Sequence, residues 1–425
     1  MNTRIGRVIG LMLLATLGVD AAQDTSNAPA ETRTVTVLAD GADVRAALDA
    51  ARADEPQVIE DQIRFCEIPA PPFKEAARAR AMRTVFQQLG LMNIRIDKAG
   101  NVLGERPGVT VRPHVVVAAH LDTVFPEGTD VRVKRSGPVL SGPGIGDNCR
   151  GLAAMVAIVR SLQRADIKTH GSVTFVADVG EEGLGDLRGM KQLFGDTLKG
   201  KVDRFVSIDG AGLFLANTAV GSRRYRVTFK GPGGHSFAAF GAGNPIQAMG
   251  RAIARISQLP VPAQPKTTFN VGRVSGGTSI NAIPSECWME IDLRSSDPAA
   301  LAALNAGFLS AVDAAVREEN DRPGARRAIT VVKELVGDRP SGRTPASAPI
   351  VQTALAAARV LGMTLSPAES STDANVPIQL GIPAITVGAG GRGADSHTAG
   401  ETFDTTEAWR GTQLAVLLTI ALTAK

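Results

Sequence analysis

The stretch VVVAAHLDTVFPEG, residues 115–128, runs five small apolar residues straight into a histidine and an aspartate. An unbroken apolar run reads as a strand buried on both faces, because a strand with one wet face would alternate. Ending it on His120-Leu121-Asp122 sets two polar side chains at the rim of a hydrophobic interior. In an open parallel sheet that rim, outside the carboxyl ends of the strands, is where ligand sites form.

Two further runs are of the same kind, SVTFVADV (172–179) and RFVSI (204–208), and GLAAMVAIVRSLQRA (151–165) carries apolar residues at helical spacing between strands. Strands alternating with helices predict an α/β architecture with a mainly parallel sheet. The pattern changes after Gly221. RYRVTFKG, NPIQAMGRAIARISQL, TTFNVGRVSGG, CWMEIDLRS, PAALAALNAGFLSAVDAAVREEN and AITVVKEL read in turn as strand, helix, strand, strand, helix, strand. That order is the split βαβ, ferredoxin-like arrangement. It predicts an inserted α+β module at 220–336 between two parts of one α/β domain, 41–219 and 337–425.

At the N-terminus, Arg4 and Arg7 precede an apolar run from Val8 to Val19, followed by small residues. A membrane-spanning helix needs about 20 apolar residues, so this shorter run reads as an export signal, residues 1–21, cleaved after Ala21. Residues 22–40, containing DTSNAPAET, read as a linker, with the folded part starting near Asp40. The expected location is periplasmic or secreted, with no membrane association after cleavage. Without residues 1–21 the chain carries 44 basic and 41 acidic residues, too even a balance to argue for nucleic acid. Cys66, Cys149 and Cys287 are odd in number and widely spaced, and no disulfide framework is expected.

Polar residues recur at the strand ends. His120 and Asp122 follow the first strand and Asp147 lies in the glycine-rich loop SGPGIGDNCRG. Glu181 and Glu182 follow the second strand, Asp209 the third, and His397 the strand ending near Val387. Singly, a strand-end histidine is an ordinary hydrogen-bonded neighbour and a Glu-Glu pair a solvated turn. Together, two of only five histidines and several carboxylates on one rim form a nitrogen and oxygen donor set suited to zinc, large enough for two ions sharing a carboxylate.

With AAHLDTV, GPGIGDNCRG, GEEG, SIDG, GPGGHS, NAIPSE, STDANVP and DSHTAGE in that order, the chain resembles the dinuclear zinc metallopeptidase family of peptidase T, carboxypeptidase G2, aminoacylase-1 and succinyl-diaminopimelate desuccinylase. The resemblance implies two Zn2+ per subunit: Asp147 bridging, His120 and Asp209 completing one site, Glu182 and His397 the other. It implies Glu181 as the general base that deprotonates the metal-bound water, and Asp122 as support for the His120 imidazole through its other nitrogen. The module would be the family's lid, often the homodimer interface. His235 would stabilise the developing oxyanion in the partner's site, and Asn281 and Arg294 would contact substrate. Gly390 and Gly391, beside His397, are candidate backbone donors to a substrate carboxylate, or a plain turn.

One departure is Asn148-Cys149-Arg150 after the bridging aspartate, where many relatives have a lysine and glycines; Cys149 is expected to be a buried, inert thiol. In this family an aspartate at the position of Asp209 goes with aminopeptidases and dipeptidases, whereas the export signal and HLDTV wording resemble the carboxypeptidase G2 branch. The reading is an exported exopeptidase acting on short peptides, with N-acyl amino acid hydrolysis as the alternative. A non-catalytic peptide-binding protein would be marked by loss of the base or a ligand, and all six positions are filled.

Overall fold

The computed structural model of the protein describes residues 30–424, so residues 1–21, expected as an export signal, lie outside the described residues. Its centre is a nine-stranded sheet. The order is Met92–Ile96, Val102–Arg106, Val173–Asp178, Val115–His120, Arg204–Ile208, Ala384–Val387, Phe214–Ala219 and Gly342–Arg343, with Ser366–Ser370 also on Phe214–Ala219. The four middle strands, from Val173–Asp178 to Ala384–Val387, are mutually parallel. All six residues of Val115–His120 are buried. Val115, Val117 and Ala119 face one core with the helices Cys149–Arg164 and Trp409–Thr423, while Val116 and Ala118 face a second core with Leu187, Met190 and Leu193. Alternate side chains of one strand therefore serve two cores, which is why the run is apolar throughout.

The inserted module has its own core. Its strands Gly221–Lys230, Thr267–Gly276, Glu286–Ser295 and Thr330–Arg339 form a four-stranded antiparallel sheet with the second, third, first and fourth strands side by side. That order, with helices Pro245–Ile256 and Pro298–Asn320, is the ferredoxin-like topology expected. Tyr225, Val227 and Phe229 alternate inward and meet Leu301, Leu304, Phe308 and Val312 of the long helix. Fully burying a side chain such as Phe229 or Phe308 stabilises the fold by about 1.5–3 kcal/mol. Pro298–Asn320 is long and apolar enough to cross a membrane, but that stripe packs into the module core.

Two boundaries differ from expectation. Ala30–Asp40, expected as linker, is a helix that buries Val35 and Ala39 in the main core; its apolar residues are too few to stand out from an Ala/Thr-rich stretch. The module sheet ends at Arg339 instead of 336, because Asp338 and Arg339 still pair with Arg223 and Ser222.

Candidate metal centre and active-site cleft

Asp147 and His397 come from places far apart in sequence, and a small second sheet brings them together beside His120, which ends a strand of the main sheet. The strand Thr402–Asp404 pairs with both Val139–Ser141 and Arg392–Ala394. The glycine-rich loop bearing Asp147 leaves the first of these partners, and the loop bearing His397 joins the other two. Glu401 locks the two loops. Its buried carboxylate accepts from the backbone N–H groups of Gly144 (2.9 Å), Gly146 (2.8 Å) and Asp147 (3.0 Å). Asn148 then caps the helix Cys149–Arg164, accepting from Gly151 N at 3.1 Å. Arg150, buried beneath, pairs with Glu55 and donates to the carbonyls of Ala389 and Ala408. Cys149 is a buried free thiol, as are Cys66 and Cys287.

His120 Nε2 lies 3.0 Å from Asp147 Oδ1 and 3.5 Å from Asp209 Oδ1. His397 Nε2 lies 3.1 Å from Asp147 Oδ2 and 3.2 Å from Glu182 Oε1. Among the described residues, three ligand-type triads have donor atoms within 4.8 Å of one another: His120/Asp147/Asp209 and Asp147/Glu182/His397, which share Asp147, and His120/Glu181/Glu182. The two oxygens of Asp147 face different triads, the arrangement a carboxylate shared between two cations needs. The donor set of imidazole nitrogens and carboxylate oxygens suits divalent ions such as zinc. His397 stands at φ +65°, a left-handed conformation uncommon outside glycine and frequent at functional sites.

The electrostatics follow from burial. Burial opposes charge on His120, yet Asp147 and Asp209 outweigh it and hold the imidazole well above its usual range. Asp147 and Glu182 push His397 up to about 10. Asp147, half-buried, is held below the usual carboxylate range by the two histidines, which outweigh the loss of solvent around it. Burial raises Glu182 against the opposing pull of His397. Glu181 is raised well above its ordinary value by burial, opposed by Arg339 and reinforced by Glu182.

Asp122 meets the other nitrogen of His120, but through its backbone. The atom next to His120 Nδ1 is the Asp122 backbone carbonyl, at 3.0 Å, while its carboxylate stands 3.7 Å away. That carboxylate instead accepts from the N–H groups of Gly180 (2.9 Å), Glu181 (3.1 Å) and Glu182 (2.8 Å). Two residues past a strand end is close enough for either arrangement, and the neighbouring strand's loop, offering three donors, is the better partner for an anion.

Gly390 corrects one expectation. Its N–H donates to Gly212 O at 2.9 Å and is not free for substrate. At φ +83° it is buried where a Cβ would lie 2.2 Å from Ala408 O, so close packing demands the glycine. His235 and Asn281 sit together in the module, with Ser236 N donating to Asn281 O at 2.9 Å. Both are exposed, and His235 Nδ1 accepts from Phe237 N. Neither lines this chain's cleft.

That cleft, about 390 Å3, is lined by Asp147, Glu181, Glu182, Asp209 and His397 together with Arg224, Arg294, Arg339 and Phe214. Asp292 orients two of the arginines, 2.6 Å from Arg294 Nε and 3.4 Å from Arg224 Nε. Arg224 and Arg339 carried no motif signal of their own, since an arginine in a strand is ordinary; Glu401 closes the DSHTAGE stretch, but nothing in the sequence told its role. Behind the site, Asp178 and Asp373 are fully buried; burial pushes Asp178 up to about 7 and Asp373 well above the usual range.

Comparison with known proteins agrees with this architecture. The sequence profile of peptidase family M20/M25/M40 matches residues 116–421. An uncharacterized protein of Bacillus subtilis (strain 168), YqjE, is 26% identical over 354 residues, covering 79% of this chain and 91% of its own. The crystal structure of aminopeptidase PepT from Bacillus cereus ATCC 10987 superposes with a TM-score of 0.70 at 22% identity, covering 87% of this chain and 99% of that one. Bacillus subtilis YxeP, a dinuclear metal-binding peptidase from the M20 family, gives a TM-score of 0.65 at 18% identity, covering 87% and 98%. The two structures testify to the fold, and the profile, spanning most of the chain, to the family. The chain therefore belongs to peptidase family M20/M25/M40 and is a metallopeptidase of that family.

Proposed function

We propose that the protein is a zinc-dependent exopeptidase that hydrolyses amide bonds of short peptides, with Glu181 as the proton carrier. The observation carrying this reading is Asp147, whose two carboxylate oxygens face separate triads 3.0 and 3.1 Å from His120 and His397. Asp147 would bridge two ions, His120 and Asp209 holding one, Glu182 and His397 the other. Bound there, two divalent cations supply Lewis acidity, acidifying water and polarising a carbonyl. Glu181, buried beside these ligands without being needed as one, takes the proton from the attacking water and returns it to the leaving amine. The Asp122 carboxylate, through the Gly180–Glu182 N–H groups, fixes the loop that presents Glu181.

Arg224 and Arg294, which line the same cleft, suit a substrate carboxylate. That feature keeps the second reading in view, because di- and tripeptides and N-acyl amino acids all end in one. Asp209 favours the aminopeptidase or dipeptidase side by resemblance. Export by residues 1–21 and dimerisation through the module, with His235 serving the partner's site, belong to the same proposal. The experiment is product analysis of free, N-blocked and C-blocked di- and tripeptides and N-acyl amino acids with zinc-loaded enzyme, Glu181→Gln as control. Cleavage only of substrates with a free amino end supports the aminopeptidase reading; cleavage only of N-acylated ones moves the protein to the acylase side. Undiminished turnover by Glu181→Gln refutes the role of Glu181.

A further inference from the structure

The loop from Gly180 to Leu187, which carries both Glu181 and Glu182, is tied to both strands by which the chain enters and leaves the inserted module. From the exit strand, Arg339 Nη1 donates to Glu181 Oε1 at 3.1 Å and to Ser371 Oγ at 3.1 Å, and Arg339 Nη2 donates to the Glu181 backbone carbonyl. Asp338 N donates to Asp186 Oδ1 at 2.8 Å. From the entry strand, Arg224 Nη1 donates to the Gly183 carbonyl. The two strands are hydrogen-bonded neighbours, Arg339 opposite Ser222 and Gly337 opposite Arg224. One rigid corner of the module thus grips the loop at residues 181, 183 and 186.

Arg339 is 4% exposed and Glu181 5%. A glutamate side chain has three rotatable bonds, and here a guanidinium fork holds both its carboxylate and its own carbonyl, which fixes the rotamer as well as the charge. Another Glu181 oxygen contact faces the ligands: its carboxylate reaches within 4.8 Å of His120 and Glu182 donor atoms. We propose that Arg339 is a positioning residue, holding the Glu181 carboxylate aimed at the reaction centre and making that aim depend on the orientation of the module. This rests on the reading of Glu181 as proton carrier. Arg339 makes no hydrogen bond to either triad that shares Asp147; its side-chain donors go to Glu181 and Ser371. Module movement about the 220 and 339 junctions would carry Arg339, Arg224 and the base together.

The test uses full-length zinc-loaded protein with tri-alanine and N-acetylalanine as probes, free alanine as readout, and a metal count on every variant. Arg339→Met is expected to lower kcat about 100-fold with KM changed less than about threefold and both metals retained, the pattern of a lost transition-state interaction. Arg339→Lys, which keeps the charge with fewer fixed donors, should recover part of that loss and fold like the parent. In the Glu181→Gln background, Arg339→Met should cost nothing further, since residues acting as one unit are non-additive. A crystal structure of Arg339→Met adds a readout independent of turnover: the Glu181 carboxylate should leave its place beside His120. Parental kcat in both Arg339 variants, full multiplicative losses in the double variant, or an unmoved Glu181 would overturn the proposal while leaving the Glu181 reading intact. An active Glu181→Gln would instead overturn that underlying reading.

Discussion

Replacing Glu401 by Gln tests how the metal-bridging loop is built. The wild-type carboxylate takes three backbone N–H groups, two on Oε1 from Gly146 and Asp147 and one on Oε2 from Gly144. A glutamine can keep the first two on its carbonyl oxygen, but then points an amide NH2 at the Gly144 N–H. The change removes one charge-assisted bond, weakens two more, and leaves a buried donor without a partner. At roughly 1.5–3 kcal/mol for a bond to a charged group and 1–3 for the orphaned donor, the cost is on the order of 3 kcal/mol. Since Asp147 is itself one of the anchored residues, much of this should appear as lost metal affinity. About 1.4 kcal/mol per tenfold gives up to roughly 100-fold, in the range seen for partners that orient metal ligands. Competition against a chromogenic chelator measures it, with thermal unfolding of the chelated protein reporting the structural share. Glu401→Gln with parental metal affinity and an unchanged melting temperature would refute this account of the loop.

Other outcomes follow from the same geometry. Zinc uptake by chelated protein at pH 7.5 should release protons, because His120 and His397, the latter near 10, must shed them to ligate; affinity should climb as pH rises, and calorimetry giving the same heat in buffers of different ionisation enthalpy would count against it. Asp178, raised to about 7 from an unfolded value near 3.9, carries only a small penalty at about pH 4, where the folded form is protonated and the unfolded form about half so, and none at lower pH. The penalty grows as pH rises towards 7, reaching on the order of 4 kcal/mol at most. Asp178→Asn in the chelated protein should therefore melt higher than the parent at pH 8 and about equally at pH 4, and a gap independent of pH would exclude this linkage. Gly390→Ala should destabilise by about 2 kcal/mol or more through its left-handed φ and the clash at Ala408, without raising KM; a raised KM at parental stability would return Gly390 to substrate binding.

What could be read along the chain was whatever is local. The period of Val115–His120, Val173–Asp178 and Arg204–Ile208, the strand and helix order of the module, and the placement of His120, Asp147, Glu182, Asp209 and His397 at element ends all follow from residues near one another in sequence. Periodicity reports which face of an element is buried, and so where its polar end must emerge. The Ala30–Asp40 helix escaped because its apolar stripe is short, with only Val35 and Ala39 buried, leaving little period to detect.

The partners of those end residues were decided by tertiary structure alone. Asp122 lies two residues from His120, yet its carboxylate serves the loop after a neighbouring strand. Glu401 holds a loop 254 residues away, and Arg339 holds Glu181 across 158. Gly390 is required by the carbonyl of Ala408. A hydrogen bond between elements depends on register and crossing geometry to within a fraction of an ångström, and a one-residue slip would reverse which side chain faces the partner. The sequence by itself determined which side chains reach the rim of the sheet; only the packing of the small sheet and the module against that rim decided what each of them holds.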